Sequence, residues 1–272
     1  MADLRLGVVG AGGRMGQAVI QQIKHSAGVV LEAACDRPGS EFIGQDAGEV
    51  AGVGHSGIQI GDSPENVFDA VESVIEFSSP ESSVKNALRA ADRGRVHVIG
   101  TTGLSISEEK ILAKAGEKAR LVYAPNMSVA VNILIAITRQ VASILDDDFD
   151  IEILEMHHRN KVDAPSGTAL GLGRAAAKGR EVDFGKKAVL SREGKTGQRN
   201  RGDIGFATLR GGDVTGDHTV VFAATGERLE LSHKASSRTI FSRGAVRAAR
   251  WAQDQSPGVY TMADVLGLTD LS

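Results

Sequence analysis

The first 125 residues alternate short apolar runs with segments of helical spacing, and this alternation constrains the fold most strongly. The apolar runs predict strands at residues 4–9, 29–35, 74–77, 96–99 and 121–123, and the intervening segments predict helices at residues 15–25, 80–93 and 107–118. Strands that alternate with helices favour a parallel, doubly wound α/β sheet. The first 128 residues are therefore predicted to form one domain of this class.

The pattern changes after residue 128. A long, largely apolar helix is predicted over residues 129–145, and strand-like runs follow at residues 151–157, 204–209, 219–224 and 228–232. Several of these runs succeed one another without a helix between them, and residues 185–203 have the polar, glycine-rich composition of an exposed loop. We expect residues 129–239 to form a second, α+β domain with an open mixed or antiparallel sheet.

Composition excludes several classes of function. The 272 residues carry a net charge of −3 and only 4% aromatic residues, so a nucleic-acid-binding surface or an anionic-membrane surface is not expected. One cysteine, Cys35, rules out a disulfide framework and a cysteine-ligated metal cluster within the chain. Because the sequence shows neither a signal peptide nor an apolar run of about 18 residues, we expect a cytoplasmic protein.

A glycine-rich turn follows the first predicted strand and opens the first predicted helix. It reads Gly10-Ala11-Gly12-Gly13-Arg14-Met15-Gly16. Glycines let a pyrophosphate approach the backbone, and the helix start offers N–H groups and a positive dipole end, so a Rossmann-like dinucleotide site is predicted. Met15 occupies the place of the third glycine and Gly16 comes one residue late, so a purely structural turn is the alternative.

Asp36 and Arg37 follow the second predicted strand. An acidic residue about 20 positions after the turn holds the adenosine ribose, and a nearby arginine accommodates a 2′-phosphate, so the pair suggests tolerance of both NAD and NADP. Residues 36–39 also suit a simple turn, and both interpretations can hold together. Cys35 is interpreted as a small buried residue.

The densest polar cluster spans residues 155–168. If the strand continued through Lys161, His157, Arg159 and Lys161 would share one face, which could bind an acidic substrate and donate protons. Residues 165–168 open a helix whose N–H groups could bind a carboxylate, although Ser166 could simply be a cap. His157 and His158 would point to opposite faces of a strand, so no metal site is expected.

These segments resemble the bacterial dihydrodipicolinate reductase family. The resemblance is carried by seven segments in order: residues 10–16 (GAGGRMG), 100–103 (GTTG), 124–132 (APNMSVAVN), 155–169 (EMHHRNKVDAPSGTA), 191–194 (SREG), 205–208 (GFAT) and 232–238 (SHKASSR). The family's own turn resembles the one here, with the late glycine. The resemblance implies reduction of a cyclic, unsaturated imine dicarboxylate to tetrahydrodipicolinate by NADPH or NADH, in lysine and diaminopimelate biosynthesis.

The resemblance also implies roles for individual residues. Those implied to bind the cofactor are Gly10, Ala11, Gly12, Gly13, Arg14 and Met15 at the pyrophosphate, Asp36 and Arg37 at the ribose, and Gly100, Thr101, Thr102, Ala124, Pro125, Asn126 and Met127 near the nicotinamide. His157 is implied to be the proton donor and acceptor, with Lys161 as a second proton donor. His158, Gly167 and Thr168 are implied to bind the substrate.

At the level of the whole molecule, the resemblance implies a homotetramer built through the second domain's sheet, and a return of residues 240–272 to the first domain. The sequence admits two rival functions. An aspartate-semialdehyde dehydrogenase needs a cysteine nucleophile late in the cofactor domain, whereas Cys35 lies in the second strand. A non-catalytic dinucleotide sensor would keep the glycine turn but would not need the 155–168 cluster.

Overall fold

The chain folds into two compact units. The structure is a computed structural model, and it describes residues 2–268. The first unit comprises residues up to 128 together with residues 238–266, and the second comprises residues 129–237 together with residues 267 and 268. The predicted C-terminal return extended to residue 272, and its last four residues lie outside the described part of the chain.

Helices and strands alternate through most of the first unit. Its strands are β1 (Leu4–Val9), β2 (Val29–Cys35), β3 (Ile60–Gly61), β4 (Ser73–Glu76), β5 (Val96–Ile99), β6 (Arg120–Tyr123) and β12 (Gly258–Tyr260). Its helices are α1 (Arg14–Lys24), α2 (Ala47–Val50), α3 (Pro64–Ala70), α4 (Pro80–Arg93), α5 (Ile106–Ala115), α9 (Thr239–Trp251) and α10 (Met262–Leu266).

Over the described residues, these strands form a seven-stranded parallel sheet in the order β12-β6-β5-β4-β1-β2-β3. The chain proceeds from β1 outward to β3 and then returns to the other side of β1 at β4. This reversal leaves a crevice beyond the carboxyl ends of β1 and β4, the place where doubly wound sheets bind ligands. The predicted doubly wound α/β sheet is confirmed.

Both faces of this sheet are buried, which explains the unbroken apolar runs of its strands. Successive residues of one strand enter different cores: Val8 packs in one cluster and Val9 in the other. Val98 and Ile99 divide in the same way. The helices on the two faces therefore fix the sheet from both sides and hold the strand ends in place.

The second unit contains a mixed sheet covered by helices. Its elements are α6 (Val129–Ile144), β7 (Asp150–His157), α7 (Gly167–Gly179), α8 (Phe184–Lys187), β8 (Ala188–Val189), β9 (Ile204–Arg210), β10 (Gly216–Ala224) and β11 (Glu227–Ala235). The strand order is β11-β10-β7-β9-β8, and β10 runs antiparallel to β11 and β7 while β7, β9 and β8 run parallel. The predicted second α+β domain with an open mixed sheet is confirmed.

In the second unit, one condition stated in the sequence analysis is not met and one prediction was wrong in detail. Strand β7 ends at His157, so the strand alternation that would have placed Lys161 and Arg159 on the face of His157 does not continue. The residues that follow turn instead, and Lys161 N donates to His158 O at 3.1 Å. The predicted loop at residues 185–203 holds most of α8 and all of β8, which are too short to produce a periodic signal.

Helix α6, with 16 residues, is the longest helix in the described part of the chain. Within that part, every helix is too short or too polar to cross a membrane.

Candidate functional site

The glycine turn joins β1 to α1 at the crevice. The N–H groups of Gly10 and Ala11 donate to Cys35 O at 2.9 and 3.0 Å, so the turn is tied to the end of β2. Gly10 has a φ of +79°, which is costly for any residue with a side chain. Gly13 precedes α1 without a side-chain cap, and the first turn of α1 has no acidic residue. The start of α1 is thus left electropositive.

Gly16 explains why the third glycine of this turn comes late. A Cβ at residue 16 would lie 2.1 Å from Gly10 O and 2.8 Å from the Cα of Ala11. Both are backbone atoms that cannot swing aside. Gly16 therefore allows α1 to pack directly against the turn, which is the task of the third glycine in dinucleotide-binding turns.

Asp36 connects β2 to the glycine turn. Its Oδ2 accepts from Gly12 N at 3.1 Å and from Ser40 Oγ at 3.1 Å, and its Oδ1 accepts from Arg37 N at 2.7 Å. Arg37 itself is exposed, and Ser40 N donates to Arg37 O at 3.1 Å. The predicted turn at these residues is present, and it holds a carboxylate next to the glycines.

A cleft of about 910 Å³ opens beside this turn. Its lining includes Gly10, Gly13, Asp36, Arg37, Pro38, Asp62, Phe77, Ser78, Ser79, Ser82 and Lys85. A side chain at residue 12 would meet Asp36 Oδ2 at 2.4 Å and the Phe42 ring at 2.1 Å, so this backbone must stay bare. The cleft fits a nicotinamide dinucleotide, because it combines glycine backbone without side chains, an uncapped helix start and a carboxylate next to an arginine.

The remaining predicted cofactor residues take different positions. Thr101 is buried, and its Oγ1 accepts from Ser78 N at 3.0 Å and from Ser83 Oγ at 2.8 Å. Gly100 packs against Phe77, because a Cβ there would lie 2.1 Å from that ring. Thr102 is exposed. The segment 124–127 includes Ala124 and Met127, whose side chains are buried in the core of the first unit. Only backbone atoms of those two residues could reach a cofactor.

Glu76 is a cofactor-side residue that the sequence did not single out. It is fully buried at the end of β4, accepts from His97 Nε2 at 2.8 Å and Ser82 Oγ at 2.7 Å, and also binds the Ser78 hydroxyl. Burial opposes its ionisation, but the bond from His97 and the serine bonds outweigh it and lower the pKa of Glu76. Glu76 thus anchors two serines that line the cleft.

Cys35 is buried, as expected for a small packing residue. Burial, reinforced by the Glu76 carboxylate, raises the pKa of its thiol to about 12. A thiol with such a pKa is not a nucleophile near neutral pH.

His157 ends β7 in the second unit and is paired with Glu155. Its Nδ1 lies 2.6 Å from Glu155 Oε2, and Glu155 is 1% exposed. Burial opposes the ionisation of Glu155, but hydrogen bonds from Arg210 and His157 outweigh it, so the pKa of this carboxyl is lowered. An ionised carboxylate can only accept, so Nδ1 carries the proton and Nε2 is left for other partners.

The space before His157 Nε2 depends on Gly216, the first residue of β10. A Cβ at residue 216 would lie 2.8 Å from His157 Nε2. The absence of a side chain therefore keeps this nitrogen open to approach. Burial lowers the pKa of His157, and the Glu155 carboxylate acts in the opposite direction.

Three further residues surround this pair. Arg210, at the end of β9, donates hydrogen bonds to both carboxylate oxygens of Glu155, at 2.8 and 2.9 Å, and also to Asp163 O. Ser166 N donates to Glu155 Oε1 at 3.0 Å. Ser166 Oγ accepts from Ala169 N at 3.1 Å and lies 3.0 Å from His218 Nε2. Ser166 is therefore the cap of α7, the plainer of its two interpretations.

His218, on β10, is 4% exposed and contacts the edge of the His157 ring, with centroids 5.1 Å apart. Burial, with the nearby His157, lowers the pKa of His218 to about 4. His218 is thus neutral at physiological pH and adds no charge beside His157.

The predicted substrate residues follow His157 in the chain. Lys161 is mostly buried, and its Nζ lies 2.7 Å from Asp163 Oδ1. His158 is half-buried, whereas Gly167 is exposed as the first residue of α7 and Thr168 follows it. The structure therefore places an imidazole, an ammonium group and a helix start within one short segment.

Sequence reasoning missed Glu155, Arg210 and His218 as parts of this site. Glu155 stood in the polar cluster, and its spacing of two from His157 along a strand was the available signal. Arg210 and His218 come from strands more than 50 residues away along the chain. Only the register of the mixed sheet brings them to Glu155 and Ser166.

Comparisons with known proteins agree along the whole chain. Residues 4–127 match the family model described as dihydrodipicolinate reductase, N-terminus, and residues 130–266 match dihydrodipicolinate reductase, C-terminus. A 4-hydroxy-tetrahydrodipicolinate reductase of Afipia carboxidovorans is 54% identical over 268 residues, covering 98% of each chain. One of Rhizobium rhizogenes is 54% identical over 267 residues, covering 98% of this chain and 97% of the relative.

Solved structures share the fold. Dipicolinate-bound dihydrodipicolinate reductase from Paenisporosarcina sp. TG-14 superposes with a TM-score of 0.74 at 20% identity, covering 96% of this chain and 98% of the other. Aspartate semialdehyde dehydrogenase II of Vibrio cholerae gives 0.57 at 11% identity, covering 93% and 100%. Both likenesses extend to the fold alone, and the family models and the relatives of 54% identity decide which family the chain belongs to. The chain belongs to the dihydrodipicolinate reductase family.

Proposed function

We propose that the chain is a 4-hydroxy-tetrahydrodipicolinate reductase, which reduces a cyclic, unsaturated imine dicarboxylate to tetrahydrodipicolinate on the route to diaminopimelate and lysine. Family membership supports this assignment. The observation that carries it is the His157–Glu155 pair at 2.6 Å, which engages Nδ1 and leaves Nε2 for a substrate, with Lys161 and the start of α7 following in the same segment. A dinucleotide sensor would not need such a pair, and no observation favours that alternative.

The cofactor is a nicotinamide dinucleotide, and we assign its binding to the first unit. Residues 10–15 would hold the pyrophosphate against the uncapped start of α1. Asp36 and Arg37 would hold the adenosine ribose, while residues 100–102 and 124–127 would lie near the nicotinamide. Because a carboxylate and an arginine stand side by side, we expect the chain to accept both NADH and NADPH.

The second unit would supply the protons. The bound nicotinamide supplies the hydride. Reduction of the conjugated imine leaves negative charge, which His157 Nε2–H neutralises by donating its proton. Only one proton is taken up with the hydride, so Lys161 is the second group able to donate it, and it must first exchange its ion pair with Asp163 for the substrate. His158, Gly167 and Thr168 would bind the carboxylates, favoured by the positive end of α7.

We further infer that the chain assembles into a homotetramer through the sheet of the second unit. The side of this sheet that faces away from α6 and α7 exposes Leu154 on β7 and Leu209 on β9, at 41% and 48%. Exposed leucines on a sheet face are suited to burial against another copy. A sedimentation mass of a single chain would contradict the assembly. A cytoplasmic location stays a prediction.

The assignment is tested by mixing the chain with freshly generated dihydrodipicolinate and following nicotinamide absorbance. NADPH and NADH are assayed side by side, with reactions lacking substrate as controls. We expect substrate-dependent oxidation of both cofactors. A folded chain that binds NADPH but oxidises none in the presence of substrate would instead be a dinucleotide sensor.

A further inference from the structure

The carboxylate of Glu155 is fixed by several hydrogen bonds in addition to packing. It accepts four hydrogen bonds, from His157 Nδ1, both terminal nitrogens of Arg210 and Ser166 N, at 2.6 to 3.0 Å. These partners come from β7, β9 and the start of α7. A buried carboxylate with four donors is fixed in position and in charge.

We propose that Glu155 is the positioning residue of His157: it orients the imidazole with Nε2 toward the substrate and favours the protonated ring, while Arg210 fixes Glu155 in turn. The proposal rests on the proposed function, because the proton that His157 carries is the one the reduced substrate takes. Glu155 itself touches no reacting atom.

The orientation follows from the hydrogen bonds. With Nδ1–H donated to Glu155, the ring cannot rotate without breaking a charge-assisted bond of 2.6 Å. The ring also packs against His218 in an edge arrangement, with centroids 5.1 Å apart. Gly216 leaves the approach to Nε2 open. His157 is therefore already oriented, before the substrate binds, so that Nε2 is the nitrogen that exchanges protons with it.

The groups that face His157 within the second unit set the charge on its ring. Glu155 is the negative group in direct contact with its ring, whereas Lys161 and Arg210 act on it as positive charges. His218 is buried and neutral at physiological pH. Without the carboxylate, two cations and burial would all oppose protonation of His157. Glu155 thus offsets part of the effect of burial and of the two cations, which oppose protonation of His157.

Glu155→Gln tests the charge, since the amide oxygen can still accept from Nδ1. We expect kcat to fall about 10- to 100-fold at neutral pH, with KM for NADPH unchanged, because a positioned acid supplies about 10²- to 10⁴-fold. The high-pH limb of the kcat profile should move to lower pH. A folded variant with the kcat and the pH profile of the unmodified chain would overturn the proposal.

Glu152→Gln is the matched control. Glu152 lies on the same strand and, like Glu155, accepts hydrogen bonds from arginine, here from Arg192 and Arg199, but it points to the opposite face. The Glu152→Gln variant should keep the pH profile of kcat of the unmodified chain. Should Glu155→Gln fail to fold, Glu155→Asp keeps the charge but shortens the side chain, and it too should lower kcat. An Asp variant equal to the unmodified chain would count against the proposal.

A second readout needs no substrate. Exchange of the imidazole C2 hydrogen, followed by mass spectrometry on peptides fragmented between His157 and His158, reports the pKa of His157 alone. We expect this pKa to fall by about 1 to 3 in Glu155→Gln, as removal of a neighbouring opposite charge requires. An unchanged pKa would overturn the inference. If the chain failed to reduce dihydrodipicolinate, the proposed function would fall, while this measurement would still decide the role of Glu155.

Discussion

Asp36 and Arg37 are neighbours that do different work at the end of β2. The Asp36 carboxylate accepts hydrogen bonds from Gly12 N, Arg37 N and the Ser40 hydroxyl, and these bonds shape the loop around the glycine turn. Arg37 is exposed on the lining of the cleft. Under the proposed function, the carboxylate would shape the ribose site and the guanidinium would meet a 2′-phosphate.

At the residue scale, Arg37→Ala should therefore separate the two cofactors. We expect KM for NADPH to rise about 10-fold or more, since a charge-assisted contact to phosphate is worth about 1.5–3 kcal/mol, while KM for NADH changes little. Lys24→Ala is the control, because it removes one positive charge at the far end of α1. If the preference between cofactors stayed the same, the 2′-phosphate would be held elsewhere.

At the scale of elements, α1 differs from the other helices that follow strands in the first unit. Helices α3, α4 and α5 each begin with a serine that caps the helix and an acidic residue in the first turn. Helix α1 has neither, and it begins at Gly13 beside the cleft. The missing cap and the missing acid leave its N–H groups and dipole for an anion.

The position of α1 against the glycine turn depends on Gly16, so Gly16→Ala should lower both the free energy of unfolding and the affinity for NADPH. The Cβ would meet backbone atoms at 2.1 and 2.8 Å and push the helix off the turn. We expect a loss on the order of 2 kcal/mol in the free energy of unfolding, within the range for overpacking. Denaturant unfolding and NADPH titration measure the two effects.

Gly171→Ala on α7 is the matched control for this substitution. A Cβ there meets one side-chain atom, Ile135 Cδ1, at 3.8 Å, which is ordinary contact. Replacing a helical glycine by alanine should raise stability by about 0.5–1 kcal/mol. A Gly16→Ala variant as stable as Gly171→Ala would show that α1 does not need this close approach.

Whether the sequence predicts one of these elements depends on how long its apolar or periodic pattern is. Strands such as β1 and β2 were placed correctly because an apolar run ended at glycines or at a polar pair. Helix α3 and strand β12, with seven and three residues, left no periodic signal and were not foreseen. The contacts of Arg210 and His218 could not be predicted either, because they depend on the register between β7, β9 and β10.

At the scale of the whole molecule, the chemistry is divided between two units of different architecture. The parallel sheet of the first presents the glycine turn, Asp36 and Arg37 at its cleft. The mixed sheet of the second presents His157, held by Glu155, with Lys161 in the following loop. A change in the second unit should therefore alter proton transfer without altering cofactor binding.

His157→Gln tests this division most directly, with kcat measured at saturating NADPH and dihydrodipicolinate and the Kd for NADPH measured by fluorescence titration. The amide removes the proton donor while keeping a polar side chain of similar size. We predict that kcat falls about 100-fold or more, the share of a positioned acid, while Kd stays within about twofold of the unmodified chain. An unchanged kcat, or equal losses in kcat and in cofactor affinity, would contradict the account.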